Sequence, residues 1–337
     1  MASDAEQILR LMLGGDVMLG RLVREHIRER GPSYPLGELA PLMQQADLAI
    51  VNLECAVTTS RQLWPGAPKA FYFGTLPEAV HTLVGAGVSA VSLANNHTLD
   101  FGVSGLLETL HTLRQHDIRC AGAGRNIEEA RAPLFVELRG VKFGMAAYCD
   151  HQEDFAADAH SPGIAYLDLG DEEAAIGQFR RSLERIREEK ADWPILSLHW
   201  GPNMVDRPSE RFVRLAHAAI DMGYGILFGH SAHVFQGIEI YRGRPIIYAA
   251  GDLVDDYYVD PVFRNDHQLL FELELTRSSL KRIRLHPVFI EDCRAVPARG
   301  RHLEYIAQRA IALCAEMGTR VEREGDQLLI AASTTSP

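Results

Sequence analysis

Cysteine is sparse and irregularly spaced: five are scattered at positions 55, 120, 149, 293 and 314, with no Cys-x-x-Cys among them. That spacing excludes a disulfide framework and a structural zinc ribbon, and predicts reduced, mostly buried thiols. Basic residues are in deficit, 34 Lys and Arg against 45 Asp and Glu, for a formal net charge of −11. A general nucleic-acid binder carries a basic face, so no nucleic-acid partner is expected, and the same charge disfavours an anionic membrane surface. Long apolar runs are missing too. No stretch reaches the roughly 18 uninterrupted apolar residues of a membrane span. The opening MASDAEQILRLMLGGD begins with acidic and small residues, and Arg10 interrupts its short apolar run, unlike a secretory signal. The location implied is cytoplasmic. Internal repeats, low-complexity tracts and an obvious interdomain linker are also lacking.

What is present is a chain of 337 residues, 47% hydrophobic and 23% charged, enough for a sizeable soluble core. Short apolar runs alternate with amphipathic stretches over the first 250 residues, the pattern of an α/β fold. Strands are expected at 8–13, 47–53, 88–93, 141–148, 194–199, 225–229, 237–241 and 245–249, then at 269–275 and 282–290 as a close antiparallel pair. Helices fit at 20–30, 77–86, 103–116, 171–190 and 208–222; the last opens Pro-Ser-Glu, an N-terminal signature. Residues 58–76, with Trp64, Pro65, Gly66 and Pro68, read as an insertion. One domain is expected over 1–292, followed by an extension, 293–337, of a helix (301–317) and a short strand (327–331) packed on it.

Polar residues cluster at the ends of these strands. Asp16 follows the first, Asn52 and Glu54 close the second, and Asn96, His97 and Asp100 follow the third. His199 ends a fourth, His230 and His233 follow a fifth, and Asp252 follows the run 245–249. In an α/β sheet the loops at the carboxyl ends of strands converge on one crevice. An Asp after a strand is by itself an ordinary turn former, and a lone His an ordinary structural residue. Six segments delivering such groups to one edge are different, because burying several carboxylates and imidazoles together is costly without a cation. Mixed Asp, Glu, Asn and His donors suit one divalent ion, with Ca²⁺, Mn²⁺, Mg²⁺, Fe²⁺ and Zn²⁺ all acceptable.

In order along the chain, GDVMLGR, NLE, LANNHTLDFG, LHWG and GHSAHVFQGIE, followed by GD, closely resemble the CapA-type proteins, named for poly-γ-glutamate capsule synthesis. These belong to the calcineurin-like metallophosphatase superfamily. The resemblance, over about residues 11–257, implies a four-layer α/β/β/α sandwich with a metal site at the strand ends. It implies metal-ligand roles for Asp16, Glu54, Asn96, His199 and His230, with His233 among the later histidines, and a catalytic role for His97. Met18 stands where the superfamily has a histidine, Glu54 where it usually has aspartate, and the last two histidines are three apart instead of two. These departures weaken the first metal position and point to a single cation.

The resemblance extends to a peptide epimerase of lasso-peptide maturation, which inverts an α-carbon. That chemistry needs two acid/base groups on opposite faces and a stabilised enolate. His97 oriented by Asp100 supplies one; His233 or His230 with Asp252 or Asp16 supplies the other. Asp100 as a cap for the helix after it is the alternative, compatible with that role. The expected function is therefore metal-dependent epimerisation of a ribosomal peptide precursor, with a metallophosphoesterase or a capsule-associated protein as alternatives. Lys69, Trp200 and Arg264 are candidate substrate contacts, while Phe71 and Phe73 read as core residues alternating inward.

Overall fold

The computed structural model describes residues 7–332. Strand β1 (Leu9–Val17) is buried along its length except at Arg10 and lies inside a ten-stranded sheet. Strands β2 (Leu48–Leu53) and β3 (Ala90–Ser92) extend that sheet in parallel, with Leu11 opposite Leu48 and Ile50 opposite Ala90. Near-continuous apolar sequence is what a parallel strand covered on both faces requires. A six-stranded sheet is built around β4 (Val141–Cys149), β5 (Trp193–His199) and β6 (Ile226–His230), also parallel, with His199 opposite both Cys149 and His230.

The chain then returns to the first sheet. β7 (Asp252–Val254) pairs in parallel with the end of β1, Asp16 opposite Asp252. β8 (His267–Leu275) pairs antiparallel with its beginning, and β9 (Leu280–Glu291) pairs antiparallel with β8. The sheets meet face to face, and the indole N–H of Trp193 donates across to the Thr276 carbonyl at 2.8 Å.

Helices cover the outsides. α1 (Arg21–Arg30) and α2 (Gly102–Gln115) contribute Val23, Ile27, Leu106 and Leu113 to the core of the larger sheet. α3 (Glu172–Glu188) and α4 (Glu210–Met222) lay Phe179, Leu183, Leu215 and Ala219 on the outer face of the six-stranded sheet, against Leu196, Leu198 and Leu227. Each such large side chain stabilises the packing by about 1.5–3 kcal/mol on burial. Ser209 caps α4 as its sequence indicates, its hydroxyl accepting from Phe212 N–H. The result is the expected four-layer α/β/β/α order.

The C-terminal residues are woven into the large sheet. Arg294–Pro297 folds back on β9 through a turn at Asp292 and Cys293, both with positive φ. After α5 (Gly300–Glu316), Gln327–Ala331 pairs with β9, Ile330 opposite Ile283.

Asp252, expected only to follow the run 245–249, begins strand β7 by pairing with β1. Two expectations are corrected. Asp100 does not cap α2: that position falls to Phe101, without a side-chain bond, since the Asp100 carboxyl turns inward. Phe71 is 56% exposed and Phe73 is buried against His97, so the two do not form an inward-facing core pair. All five cysteines are free, and four are buried. No helix of the described residues is long and apolar enough to cross a membrane.

Candidate metal-dependent active site

The floor of the site is built by strand ends from both sheets. The register of β1 shifts between Gly14 and Asp16, and Asp16 ends up between Asn52 of β2 and Asp252 of β7. The Asn52 amide donates to Asp16 Oδ1 at 2.8 Å, and Ser231 N–H donates to Oδ2 at 3.2 Å. From the facing sheet, His199 and His230 approach with their Nδ1 atoms 2.9 Å apart, His230 Nδ1 lying 3.7 Å from Asp16 Oδ1. His233 Nδ1 is 2.9 Å from Asp252 Oδ1 and 3.8 Å from Asp16 Oδ2. Glu54, just past β2, accepts from the Tyr257 hydroxyl at 3.1 Å, and its Oε1 lies 3.7 Å from His199 Nε2.

Two convergent sets of donor atoms result, each within 4.8 Å: Asp16, His199 and His230, and Asp16, Glu54, His233 and Asp252. Asp16 is common to both.

Electrostatics favour a cation here. Burial pushes Asp16 up to about 6 and lifts Glu54 and Asp252 well above the ordinary carboxylate range, with their mutual repulsion adding to it for the last two. Glu54 Oε1 and Asp252 Oδ2 are buried without a hydrogen-bond partner. Neither Asp16, Glu54 nor Asp252 forms an ion pair with Lys or Arg among the described residues. Burial drives His230 down to about 3 and His199 well below its usual value, so both rings are neutral and offer lone pairs. Unpaired carboxylate oxygens beside neutral imidazoles fit a divalent ion.

His97 forms the other half. Its Nδ1 is 2.6 Å from Asp100 Oδ2, and Phe73 N–H donates to the same oxygen at 2.6 Å. Lys69 Nζ lies 2.5 Å from Asp100 Oδ1 and also donates to the Asn96 carbonyl. The Phe73 ring stacks on the imidazole with centroids 3.8 Å apart. Burial lowers His97 to about 4 despite the Asp100 bond, so the ring is neutral near pH 7. Asp100 holds the proton on Nδ1, which leaves the Nε2 lone pair free to accept another.

The turn that presents His97 is locked by Asn95. Its Oδ1 accepts from His97 N–H at 3.1 Å and from the Thr98 hydroxyl at 3.0 Å, and its amide donates to the Leu53 carbonyl at 2.8 Å. Asn96 Oδ1 sits 3.0 Å from His199 Nε2 and orients that ring.

A cavity of about 330 Å³ opens above these groups, with Asn96, His97 and His233 at its base and Phe71, Phe73, Met204, Tyr257 and Arg21 around it. Asp16, Glu54, Asn96, His97, Asp100, His199, His230, His233 and Asp252 are thus brought together.

The three expected substrate contacts are not placed at the cavity wall. Lys69 is spent on Asp100, beneath it. Trp200 faces the other way: side chains alternate along β5, sending Ser197 and His199 inward and Leu198 and Trp200 outward, where the indole stacks on Phe212 at 4.4 Å. Arg264 pairs with Asp266 at 2.7 Å. Arg21, Met204 and Tyr257 were missed, since no local pattern links them to the strand ends. His151 was missed although Cys-Asp-His directly follows a predicted strand.

This architecture, two facing sheets with carboxylates and imidazoles gathered at their strand ends, is the calcineurin-like metallophosphatase fold. A solved structure described as a novel phosphatase from Mycoplasma pneumoniae superposes with a TM-score of 0.52 at 15% identity, covering 89% of this chain and 97% of that one. Residues 10–257 match the family described as bacterial capsule synthesis protein PGA_cap, and the chain belongs to that family. It is 29% identical to a probable polyglutamine synthesis accessory protein of Mycobacterium tuberculosis, over 96% of this chain and 95% of the relative. It is 26% identical to the PGA biosynthesis protein CapA of Bacillus subtilis, over 89% of this chain and 76% of the relative.

Proposed function

We propose that this protein is a divalent-metal-dependent hydrolase of the capsule-synthesis family, acting on a phosphate ester. The observation that carries the proposal is the carboxylate Asp16 shared between two donor sets, one completed by His199 and His230 and the other by Glu54, His233 and Asp252. The missing first-motif histidine matters less than its absence in sequence suggests. Met18 is buried with its sulfur accepting Gly20 N–H, while Asp252 enters beside Asp16 by strand pairing and supplies a carboxylate instead. These are the residues that would hold the metal, and a bound divalent ion would supply Lewis-acid activation of water and of a phosphoryl oxygen.

The chain's own groups do the rest. Asn96 and the histidines fix one side of the substrate's polar group. His97, with its proton held on Nδ1 by Asp100, takes a proton at Nε2 from the attacking water as its oxygen bonds to phosphorus, and returns that proton to the alcohol oxygen that leaves when the ester P–O bond breaks. Phe73 and Tyr257 exclude solvent on the other side and favour an ester with an apolar part, while Arg21, paired with Asp256 at 3.3 Å, stands at the rim over Phe71. The relatives' names, a polyglutamine synthesis accessory protein and PGA and capsule biosynthesis proteins, point to service in such a synthesis.

Turnover of aryl phosphate mono- or diesters with Mn²⁺, abolished by chelation, is the expected result. Silence of the Mn²⁺-loaded protein towards both ester classes overturns this reading.

A second reading, epimerisation at the α-carbon of a peptide, is favoured by one specific observation. Two His–carboxylate pairs, His97–Asp100 and His233–Asp252, serve one cavity, as proton removal and return from two faces requires. Its signature is deuterium uptake at a peptide α-carbon in D₂O, lost in His97→Ala.

A further inference from the structure

Beyond the proposed ligands, a half-buried pair lies behind the donor atoms, at the end of β4. Asp150 and His151 follow Cys149, whose neighbour across the sheet is His199. Asp150 N–H donates to the His199 carbonyl at 3.2 Å, and Asp150 Oδ2 accepts from Gly201 N–H at 3.2 Å. The His151 Nδ1 lies 3.0 Å from Asp150 Oδ1. On the ring's other side, Nε2 lies 2.8 Å from the Gly201 carbonyl and 3.0 Å from the Ser231 hydroxyl, which itself donates to that carbonyl at 3.3 Å. A carboxylate and a carbonyl are both acceptors, so the ring donates from both nitrogens and bridges the loop after β5 to the loop after β6.

What this bridge holds is unusual. Ser231 has φ of 99°, a conformation L residues seldom adopt, and His233 two residues on has φ of 59°. Non-glycine residues held at such angles cost on the order of 1–3 kcal/mol each and persist only where surroundings impose them. The result is that Ser231 N–H points at Asp16 Oδ2, the oxygen that also faces His233. Glycine at 201, with φ of 78°, allows its carbonyl to meet both His151 and Ser231.

We propose that the Asp150–His151 pair is a positioning device for the metal site: it holds the Ser231 loop in its strained form and so fixes Asp16, His230 and His233 as ligands. This rests on the metal reading above, though on none of its chemistry. His151 is not part of the cavity lining, and its ring meets that of His199 edge-on, with centroids 5.7 Å apart. Partners of this kind, acting through the ligands, are worth roughly 10–100-fold in metal affinity.

The test is Mn²⁺ titration of the full chain followed by the paramagnetic signal of free Mn²⁺, in wild type, His151→Leu, His151→Gln, Asp150→Asn and His217→Gln. The last removes an imidazole paired with Glu239 at 2.9 Å, away from the candidate site, and controls for general loosening. His151→Leu and Asp150→Asn are expected to weaken Mn²⁺ binding roughly 10–100-fold. His151→Gln, whose amide N–H replaces the Nε2 donor, recovers most of the loss, and His217→Gln changes nothing. Undiminished Mn²⁺ affinity in His151→Leu overturns the proposal, as does an equal loss in His217→Gln. Should His151→Leu fail to fold, Asp150→Asn without loss of affinity overturns it. Wild-type protein that binds no Mn²⁺ sinks the metal reading itself, and is told apart because no variant is needed to see it.

Discussion

Two histidine–carboxylate pairs at the base of one cavity have opposite surroundings. His97 and Asp100 belong to a single turn, and Asp100 is neutralised by Lys69 and bonded by Phe73 N–H. His233 and Asp252 come from different segments and sit beside Asp16 and Glu54, two further buried carboxylates with no Lys or Arg partner among the described residues. The first pair is electrically complete and needs nothing added to act as a base. The second gathers carboxylates whose ionised forms burial makes costly, so ionising them calls for a cation. The same two residue types thus read as proton handler in one place and as half of a metal site in the other. Their neighbours decide which.

The sharpest way to break this contrast is His97→Ala. Loss of a positioned base costs about 10²–10⁴-fold in kcat, while Mn²⁺ affinity, measured by calorimetry, stays unchanged. An equal loss of both would merge the two halves. Asp16→Asn is the mirror experiment: removing the shared carboxylate is expected to lower Mn²⁺ affinity by at least the roughly 10–100-fold seen for mere supporting groups. The stacked, neutral His97 should be untouched, as its NMR titration reports.

A third prediction concerns stability. Lys69→Met leaves the Asp100 carboxylate buried without its cation and is expected to destabilise by about 3 kcal/mol, read from chemical denaturation. The equivalent loss cannot arise at His233–Asp252, which has no Lys or Arg partner among the described residues.

pH separates the pairs more gently. In metal-free protein burial raises Asp16 to about 6 and lifts Glu54 and Asp252 well above the ordinary carboxylate range. Protonated carboxylates must release their protons to bind a metal, so affinity falls as pH drops through 6 and proton release rises. Calorimetry in buffers of different ionisation enthalpy measures it. The smallest effect is expected from Arg264→Ala, which breaks its pair with Asp266 yet leaves KM unchanged, because the residue does not reach the cavity.

Much of the site was legible because strand periodicity and turn-forming residues are local signals. Asn96, His97 and Asp100 lie within five residues, and their order at a strand end sufficed to single them out. Asp252 was identified as a candidate after the run 245–249, but its pairing with β1 beside Asp16 leaves no mark in a three-residue stretch. Trp200 was misplaced for a simple reason: adjacency to His199 in sequence means opposite faces in a strand. The insertion 58–76 was seen as irregular, but that it folds over His97 and delivers Lys69 and Phe73 depends on contacts with a turn about 30 residues away.

By itself the sequence determined the alternation of strands and helices, the net negative charge, and the gathering of polar residues at strand ends. These follow from residue-by-residue preferences and short-range periodicity. Only the tertiary structure decided which of those residues meet. Asp16 bonds Asn52 from 36 positions away and Ser231 from 215, and its pairing with Asp252 is set by the register between β1 and β7. Whether a histidine–aspartate pair holds a proton or a metal is set by the charges packed around it, and those charges arrive from both sheets.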